Sequence, residues 1–300
     1  GSSGRIHVYS GATAIGQGTH TMFAQIVAEQ LGGDIEIVTV TTGDTAAIAL
    51  GIGTSNSRVA VTAGSSAHVA ASKVRDKALR IAAHLLESAE QDLEIVGGEI
   101  RVRGVPDLSV TLGDVANAVA GTPGYTLPGG IEPGLEATEH LVLDSMAFAN
   151  GSGVAEVEVD VETGSVRIDR FTAIDDVGRA INPMILFGQS HGGIAQGIGQ
   201  ALLEDCHYDT KTGQLLSGSL MDYCLPRADD LASIEVGFNE APSPVNVLGV
   251  KGAGESGATG APPAVINAII DALGEIGVTR LDMPATPERV WRAIVNAGAH

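Results

Sequence analysis

Aromatic side chains are the scarcest large residues in this chain of 300 residues, at 3% of the total. Cations are also in short supply, with 17 Lys and Arg against 36 Asp and Glu and a net charge of −19. That balance argues against binding nucleic acid or an anionic membrane surface, both of which need a cationic face. One local basic pocket for a phosphate group stays compatible with it. The two cysteines, Cys206 and Cys224, form neither a metal-ligand spacing nor a disulfide framework. They read as buried free thiols of a reducing, cytoplasmic compartment, and this chain is expected to carry no iron–sulfur cluster of its own. No apolar run is long enough to span a bilayer, and the start has no basic stretch followed by an apolar one. The eight histidines never fall at metal-binding spacings such as HxxxH, so no protein-held metal ion is expected. Gly151-Ser152-Gly153 is not a nucleophile elbow, and a hydrolase reading finds no nucleophile–base pair.

What the chain does have is aliphatic bulk and glycine: 44% apolar residues and 40 Gly. Such a composition builds a sizeable core with many close backbone approaches. The length suits one large domain or two packed subdomains, divided here as 1–145 and 146–300. Ile6–Ser10 alternates as a strand, a helix runs from about Thr19 to Gln30 and stops at Gly32-Gly33, and Ile35–Val40 is a second strand. A long helical pattern covers Ser65 to Glu87, a hairpin turns at Gly97-Gly98, and a short helix covers Thr111–Val119. Gly121–Glu136 reads as an extended connector. A second hairpin alternates Val157, Val159 and Val161 with acids, turns at Glu162-Thr163-Gly164 and returns through Ile168. Asn182-Pro183 then opens a glycine-containing helix to about Glu204. Strands and helices are mixed rather than alternating, which favours α+β.

Four segments carry the chemistry. Lys251–Val265 places one carboxylate, Glu255, among small residues ahead of Pro262-Pro263 and the apolar run Ala264–Ile270. Proline in a first helical turn loses no hydrogen bond, so this reads as a tight loop at the mouth of a buried helix. A carboxylate in that apolar setting is a candidate proton acceptor, and the alternative is an exposed Glu on a glycine turn. Gly16-Gln17-Gly18 lies between a strand and a helix, where free N–H groups suit an anionic or amide-rich ligand. An ordinary turn is the commoner meaning of that spacing alone. Ser55-Asn56-Ser57-Arg58 also precedes a helix and is either a polar cradle or a solvated loop. Gln189 interrupts an apolar helix, where an amide needs partners. Asp175-Asp176 reads as structural hydrogen bonding rather than acid–base work.

In order along the chain, Gly11–Thr21, Gly43-Asp44-Thr45, Gly53–Arg58, Asp175–Pro183, Gly188–Gly197, Met221-Asp222-Tyr223 and the Glu255 loop resemble the molybdenum hydroxylases. That is the large-subunit family of xanthine dehydrogenase, aldehyde oxidase and carbon monoxide dehydrogenase, and the likeness covers nearly the whole chain. It implies the second molybdenum-cofactor-binding half only, since nothing here matches the first half of such a subunit. Carried over, Glu255 is the general base, while Gly16, Gln17, Gly18, Ser55, Asn56, Ser57, Arg58, Gln189, Ala253 and Gly254 line the cofactor. The cofactor implied is molybdenum–molybdopterin in its cytosine dinucleotide form, with [2Fe-2S] clusters and FAD on partner chains. The partners implied are a chain with the first half of the site, an iron–sulfur subunit and a flavin subunit. The activity implied is hydroxylation of an N-heterocycle, aldehyde or related small molecule, with water as oxygen source. The alternatives are a non-catalytic scaffold half-domain, against which Glu255 itself argues, and a fragment of a carbon monoxide dehydrogenase-type subunit.

Overall fold

The computed structural model describes residues 1–121, 127–231 and 233–298. Its backbone divides into two compact units, Gly1–Ala147 with Ser243–Val250, and Phe148–Pro242 with Lys251–His300. The return of Ser243–Val250 to the first unit is built by packing that sequence order does not announce. Leu248 is buried, with a methyl 3.4 Å from where a Cβ on Gly64 would stand. Buried Asn246 clasps the end of the segment, accepting from Val250 N–H at 3.1 Å and donating to Val250 C=O at 2.8 Å.

In the first unit, β1 (Ile6–Ser10) and β2 (Val38–Thr42) form a parallel pair, with α1 (Thr19–Leu31) as the crossover between them. Gly32 stops α1 in the left-handed conformation, its N–H bonded to Ala28 C=O, which glycine adopts without a Cβ penalty. The expected second strand starts late. The Asp34 side chain accepts from Glu36 N–H and winds Ile35–Ile37 into a 3-10 turn, so β2 begins at Val38. Helix α2 (Ser65–Leu85) follows one wide turn closed by Gly64 N–H to Val59 C=O at 2.9 Å. The hairpin of β3 (Leu93–Val96) and β4 (Glu99–Val102) turns at Gly97-Gly98 as its sequence suggests. A third antiparallel strand, β5 (Val105–Thr111), pairs with β4; Pro106 and Asp107 hid it by breaking the alternation. Helix α3 (Leu112–Ala118) opens on a reciprocal Thr111–Asp114 capping box. Part of the expected Gly121–Glu136 connector, 122–126, lies outside the described residues. The core of this unit packs Val27 and Leu31 of α1 and Ala71, Ala78 and Ile81 of α2 against Leu93, Ile100, Leu112 and Val115.

In the second unit, β6 (Asn150–Val159) and β7 (Val166–Asp176) make the expected hairpin, extended backwards through Gly151-Ser152-Gly153. The Asp160 carboxylate closes its turn by accepting from Glu162 N–H at 2.9 Å and Thr163 Oγ1 at 2.8 Å. β8 (Ser233–Asn239) adds in parallel to β7. Helix α4 (Pro183–Leu202) starts under Asn182, whose Oδ1 accepts from Ile185 N–H at 3.1 Å. It packs closely on α5 (Ser256–Leu273), and α6 (Pro287–Gly298) ends the described chain. Phe171, Ile194, Ile198, Val265, Ile269 and Leu273 are the centre of this core.

Two expectations are corrected. Cys206 and Cys224 are exposed, not buried; both lie on the irregular stretch between α4 and β8, where no helix or strand face turns them inward. Helix α5 begins at Ser256, so Pro262 and Pro263 stand inside it rather than in its first turn. The carbonyls they leave without a helical donor are those of Ala258 and Thr259. Ala258 is half-buried and Thr259 exposed, which lets water replace the missing N–H groups. Among the described residues no helix is long and apolar enough to cross a membrane.

Candidate functional site

In the first unit the two sequence-predicted cofactor segments come together. The loop from Gly11 to Gly18 leaves the end of β1, and the loop from Gly51 to Arg58 runs against it. Their backbones touch at Gly11 and Gly51, where a Cβ on Gly51 would stand 2.5 Å from Gly11 Cα. Gly53 N–H donates to Gly11 C=O at 3.2 Å. Thr54 completes the tie: its hydroxyl donates to Thr13 C=O at 2.6 Å and accepts from Thr13 N–H at 3.0 Å. Thr13 and Thr54 are the positioning residues that motif reading passed over. Their signal was a pair of threonines inside two glycine-rich loops, and only the fold shows that they meet.

Gln17 has a different geometry from the one its motif suggests. Its Oε1 accepts from Ile15 N–H at 2.7 Å and its Nε2 donates to Thr13 C=O at 3.0 Å, so the amide braces its own loop. Gly16 and Gly18 flank it at φ 106 and 77, a region L side chains avoid. A Cβ on Gly16 would meet nothing within 4 Å, so that backbone faces open space.

The Ser55–Arg58 segment is strained. Asn56 and Ser57 both hold positive φ, at 56 and 52, which asparagine tolerates better than serine. The turn directs Arg58 inward, with Nη2 3.4 Å from Ile52 C=O and Nε buried without a hydrogen-bond partner. A second buried polar atom without a partner, Thr19 Oγ1, stands at the start of α1. Buried polar atoms left unsatisfied cost about 1–3 kcal/mol each and mark places where a further polar group belongs.

In the second unit the Glu255 loop is held at both ends. Lys251 N–H bonds to Val177 C=O at 2.8 Å, and its Nζ meets Asp176 Oδ2 at 2.5 Å. Asp176 Oδ1 also accepts from Gly178 N–H at 3.0 Å and Ala241 N–H at 3.2 Å. The Lys251 ammonium, with those N–H groups, keeps the Asp176 carboxyl below the usual carboxylate range. Beyond the loop, Ser256 Oγ lies 2.9 Å from Asp175 Oδ2 and 3.2 Å from Ala253 C=O, and Ser190 Oγ of α4 reaches the same Asp175 oxygen at 3.4 Å.

Glycines set the depth of this end of α5. A Cβ on Gly257 would stand 2.6 Å from Ile194 N and 2.7 Å from Ser190 O, and one on Gly193 would stand 3.0 Å from Ala258 N. The close crossing brings Ser190, and with it neighbouring Gln189, to the start of α5 where Glu255 is the N-cap residue. Ala253 is buried and Gly254 exposed. Gln189 is half-buried, and its amide makes no hydrogen bond to another described residue. Glu255 itself is exposed, so the apolar setting expected from its neighbours is not supplied by them. Small residues shape the backbone around it but are too short to cover it.

Glycine-rich loops with buried donors that lack partners give the first unit a lining that suits a polar ligand. The comparisons give that ligand a name: residues 1–232 match the family model described as a molybdopterin cofactor-binding domain, and the chain belongs to that family. It is 40% identical over 97% of its length to the nicotine 6-hydroxylase large subunit of Paenarthrobacter nicotinovorans, covering 36% of that protein. It is 39% identical over 95% of its length to the carbon monoxide dehydrogenase large chain of Hydrogenophaga pseudoflava, covering 35% of that chain. Among solved structures, quinoline 2-oxidoreductase from Pseudomonas putida 86 superposes with a TM-score of 0.89 at 40% identity, over 98% of this chain and 37% of the other. The chain thus spans little more than a third of the length of these relatives. Its residues fit a pterin cofactor with phosphate groups: Arg58 Nε and Thr19 Oγ1 are buried donors awaiting partners, and Gly16 leaves room for close approach.

Proposed function

We propose that this chain is the second molybdopterin-binding part of the catalytic subunit of a multi-chain molybdenum hydroxylase, with Glu255 as its general base. The observation that carries this reading is the setting of Glu255: one carboxylate at the head of α5, its loop braced by Lys251–Asp176 on one side and Ser256–Asp175 on the other. Bracing of that kind fixes where a proton is taken, which a surface glutamate on a loose turn does not need. In this reading Gly16, Gly18 and the Ser55–Arg58 backbone lie against the pterin, and Arg58 and Thr19 donate to it. Gln17 holds the first loop in shape, and Gln189, Ala253 and Gly254 line the side nearest Glu255.

When bound, the cofactor accepts the two electrons of the oxidation. The chain's own residues bind it, orient it and take up a proton at the Glu255 carboxylate. Because Glu255 is exposed here, the covering that excludes water from it comes from outside this chain, from the part of the enzyme that carries the first half of the site. The names of two relatives, a nicotine hydroxylase and a quinoline oxidoreductase, support an N-heterocycle as the substrate class ahead of an aldehyde. A cytosine dinucleotide form of the cofactor, with iron–sulfur and flavin partner chains to remove the electrons, completes the proposal.

The test is Glu255→Gln in the assembled enzyme. Glutamine keeps the size and hydrogen bonding but cannot accept the proton. Molybdenum content is expected to stay intact while turnover falls by roughly 10²–10⁴-fold. Activity within a factor of about two of the parent would make Glu255 an ordinary surface residue. Loss of molybdenum together with activity would make its role structural.

A further inference from the structure

Among the described residues β1 pairs with one strand. Its first edge pairs with β2, and among the described residues no strand pairs with its second edge. Along that edge lies a cleft of about 900 Å³, contained wholly within the first unit. Every residue from Gly4 to Ala12 lines it. Successive strand residues point to opposite faces, so a cavity under one face would touch alternate residues only. An unbroken run means that the cleft follows the edge of the strand.

A second length of backbone, Leu135–Val142, also lines the cleft, and it belongs to no helix or strand. It is held in place through side chains: Glu139 pairs with Lys73 of α2, and Leu141 N–H donates to Ser66 Oγ at 3.1 Å. The floor is apolar and made of small side chains, Ala63 of the wide turn before α2 and Ala67, Ala70 and Ala71 of α2, with Val74 at its end. They recur at the three- and four-residue spacing of one helix face. At the rim, Tyr9, Leu50, Ile52 and Val142 are 59, 64, 71 and 87% exposed.

From this geometry we infer that the cleft is a strand position, filled in the assembled enzyme by an extended segment from the remaining two thirds of the relatives' length. The edge of β1 without a paired strand asks for an occupant that offers N–H and C=O groups at strand spacing, and a segment inserted there bonds to β1 along its length. Alanines on the floor leave depth for large β-branched or aromatic side chains at alternate positions of the incoming strand. A small apolar ligand would fill volume but satisfy few of those backbone groups. The cleft also runs on to Gly11, Gly51 and Gly53 at the base of the cofactor loops, so one strand would complete the sheet and buttress those loops. The inference rests on the proposed function only in taking its occupant from the rest of that enzyme.

The experiment is residue-resolved hydrogen exchange on the 300-residue chain alone and on the enzyme isolated with all its chains. In Ile6–Ser10, the alternate amides not bonded to β2 are expected to exchange fast in the lone chain and at least a hundredfold slower in the assembly. Equal rates in both states would overturn the inference, as would slow exchange in the lone chain. A second measurement uses Ala70→Trp, which fills the floor from a half-buried position. It is expected to leave the melting temperature of the lone chain within a few degrees and to raise dissociation of the assembly at least tenfold; an assembly that holds as tightly as the parent would also overturn it. Molybdenum content read on the same assembly separates the two claims. Protected amides without molybdenum would sink the proposed function alone, and molybdenum with unprotected amides would sink the strand alone.

Discussion

At the scale of single residues, the two glutamines that look alike in sequence do different work. The Gln17 amide bonds twice within its own loop, whereas Gln189 makes no hydrogen bond to another described residue. Gln17→Ala therefore removes two bonds that shape the Gly11–Gly18 loop, each leaving a backbone group to find a new partner. An unsatisfied group costs about 1–3 kcal/mol, equivalent to roughly five- to a hundredfold in binding. Molybdenum per chain, measured by mass spectrometry, is expected to fall accordingly. Gln189→Ala is expected to leave the chain's melting temperature unchanged, so any loss of metal there reports contact with the cofactor itself. Full occupancy and an unchanged melting temperature in Gln17→Ala would show that the loop keeps its shape without the amide. The motif made Gln17 a candidate, but which way its amide turns depends on where Thr13 and Ile15 place their backbone groups.

At the scale of elements, the Glu255 loop is a link between β7 and α5, and its brace titrates. Lys251 and the surrounding N–H groups lower the Asp176 carboxyl below its ordinary value of about 3.9. A group whose folded value is lowered stabilises the fold fully above its unfolded value, and that contribution is lost as pH falls through the folded one. Melting temperatures taken between about pH 2 and 6 are thus expected to drop steeply on the acid side in the parent chain and less steeply in Asp176→Asn. Superimposable acid limbs would show that the pair does not stabilise this link. Sequence marked Asp175-Asp176 as structural and the structure divides the labour: Asp176 holds the front of the loop through Lys251, and Asp175 holds its back through Ser256. The prolines of α5 taught the opposite lesson. A Pro-Pro pair is good evidence for a helix start, yet here the helix begins at Ser256 because the glycine crossing with α4 holds its first turns.

At the scale of the whole molecule, exposed apolar residues are the main sign of what is missing. The rim residues of the β1 cleft are exposed in the first unit, and Leu216, Leu220, Met221 and Leu225 are exposed in the second. A free chain seldom carries so much apolar surface unless a partner covers it. Expressed alone, the chain is expected to be poorly soluble or free of cofactor, and co-expression with the remaining two thirds of the subunit is expected to restore both solubility and molybdenum. A monodisperse, molybdenum-loaded monomer would contradict the shared site outright. The net charge of −19 works in the same direction, since it keeps the chain from nucleic acid and anionic lipid and leaves apolar contact as the main driving force for assembly.

Sequence by itself determined the local elements and the candidate residues, because their causes are local. Gly32 ends α1, Asn182-Pro183 opens α4, and Gly97-Gly98 turns a hairpin, each through bonds or dihedral preferences spanning a few residues. The order of the glycine-rich motifs was likewise enough to bring the molybdopterin-binding family into view. Only the tertiary structure decided that Thr13 and Thr54 tie the two glycine-rich loops, that Arg58 carries a buried Nε without a partner, and that Glu255 sits on a braced loop yet is exposed. It also decided that Cys206 and Cys224 face outward and that, among the described residues, one edge of β1 has no paired strand. Each of these depends on which distant backbones meet and how closely, and that is set by packing across tens of residues rather than by the preference of any one of them.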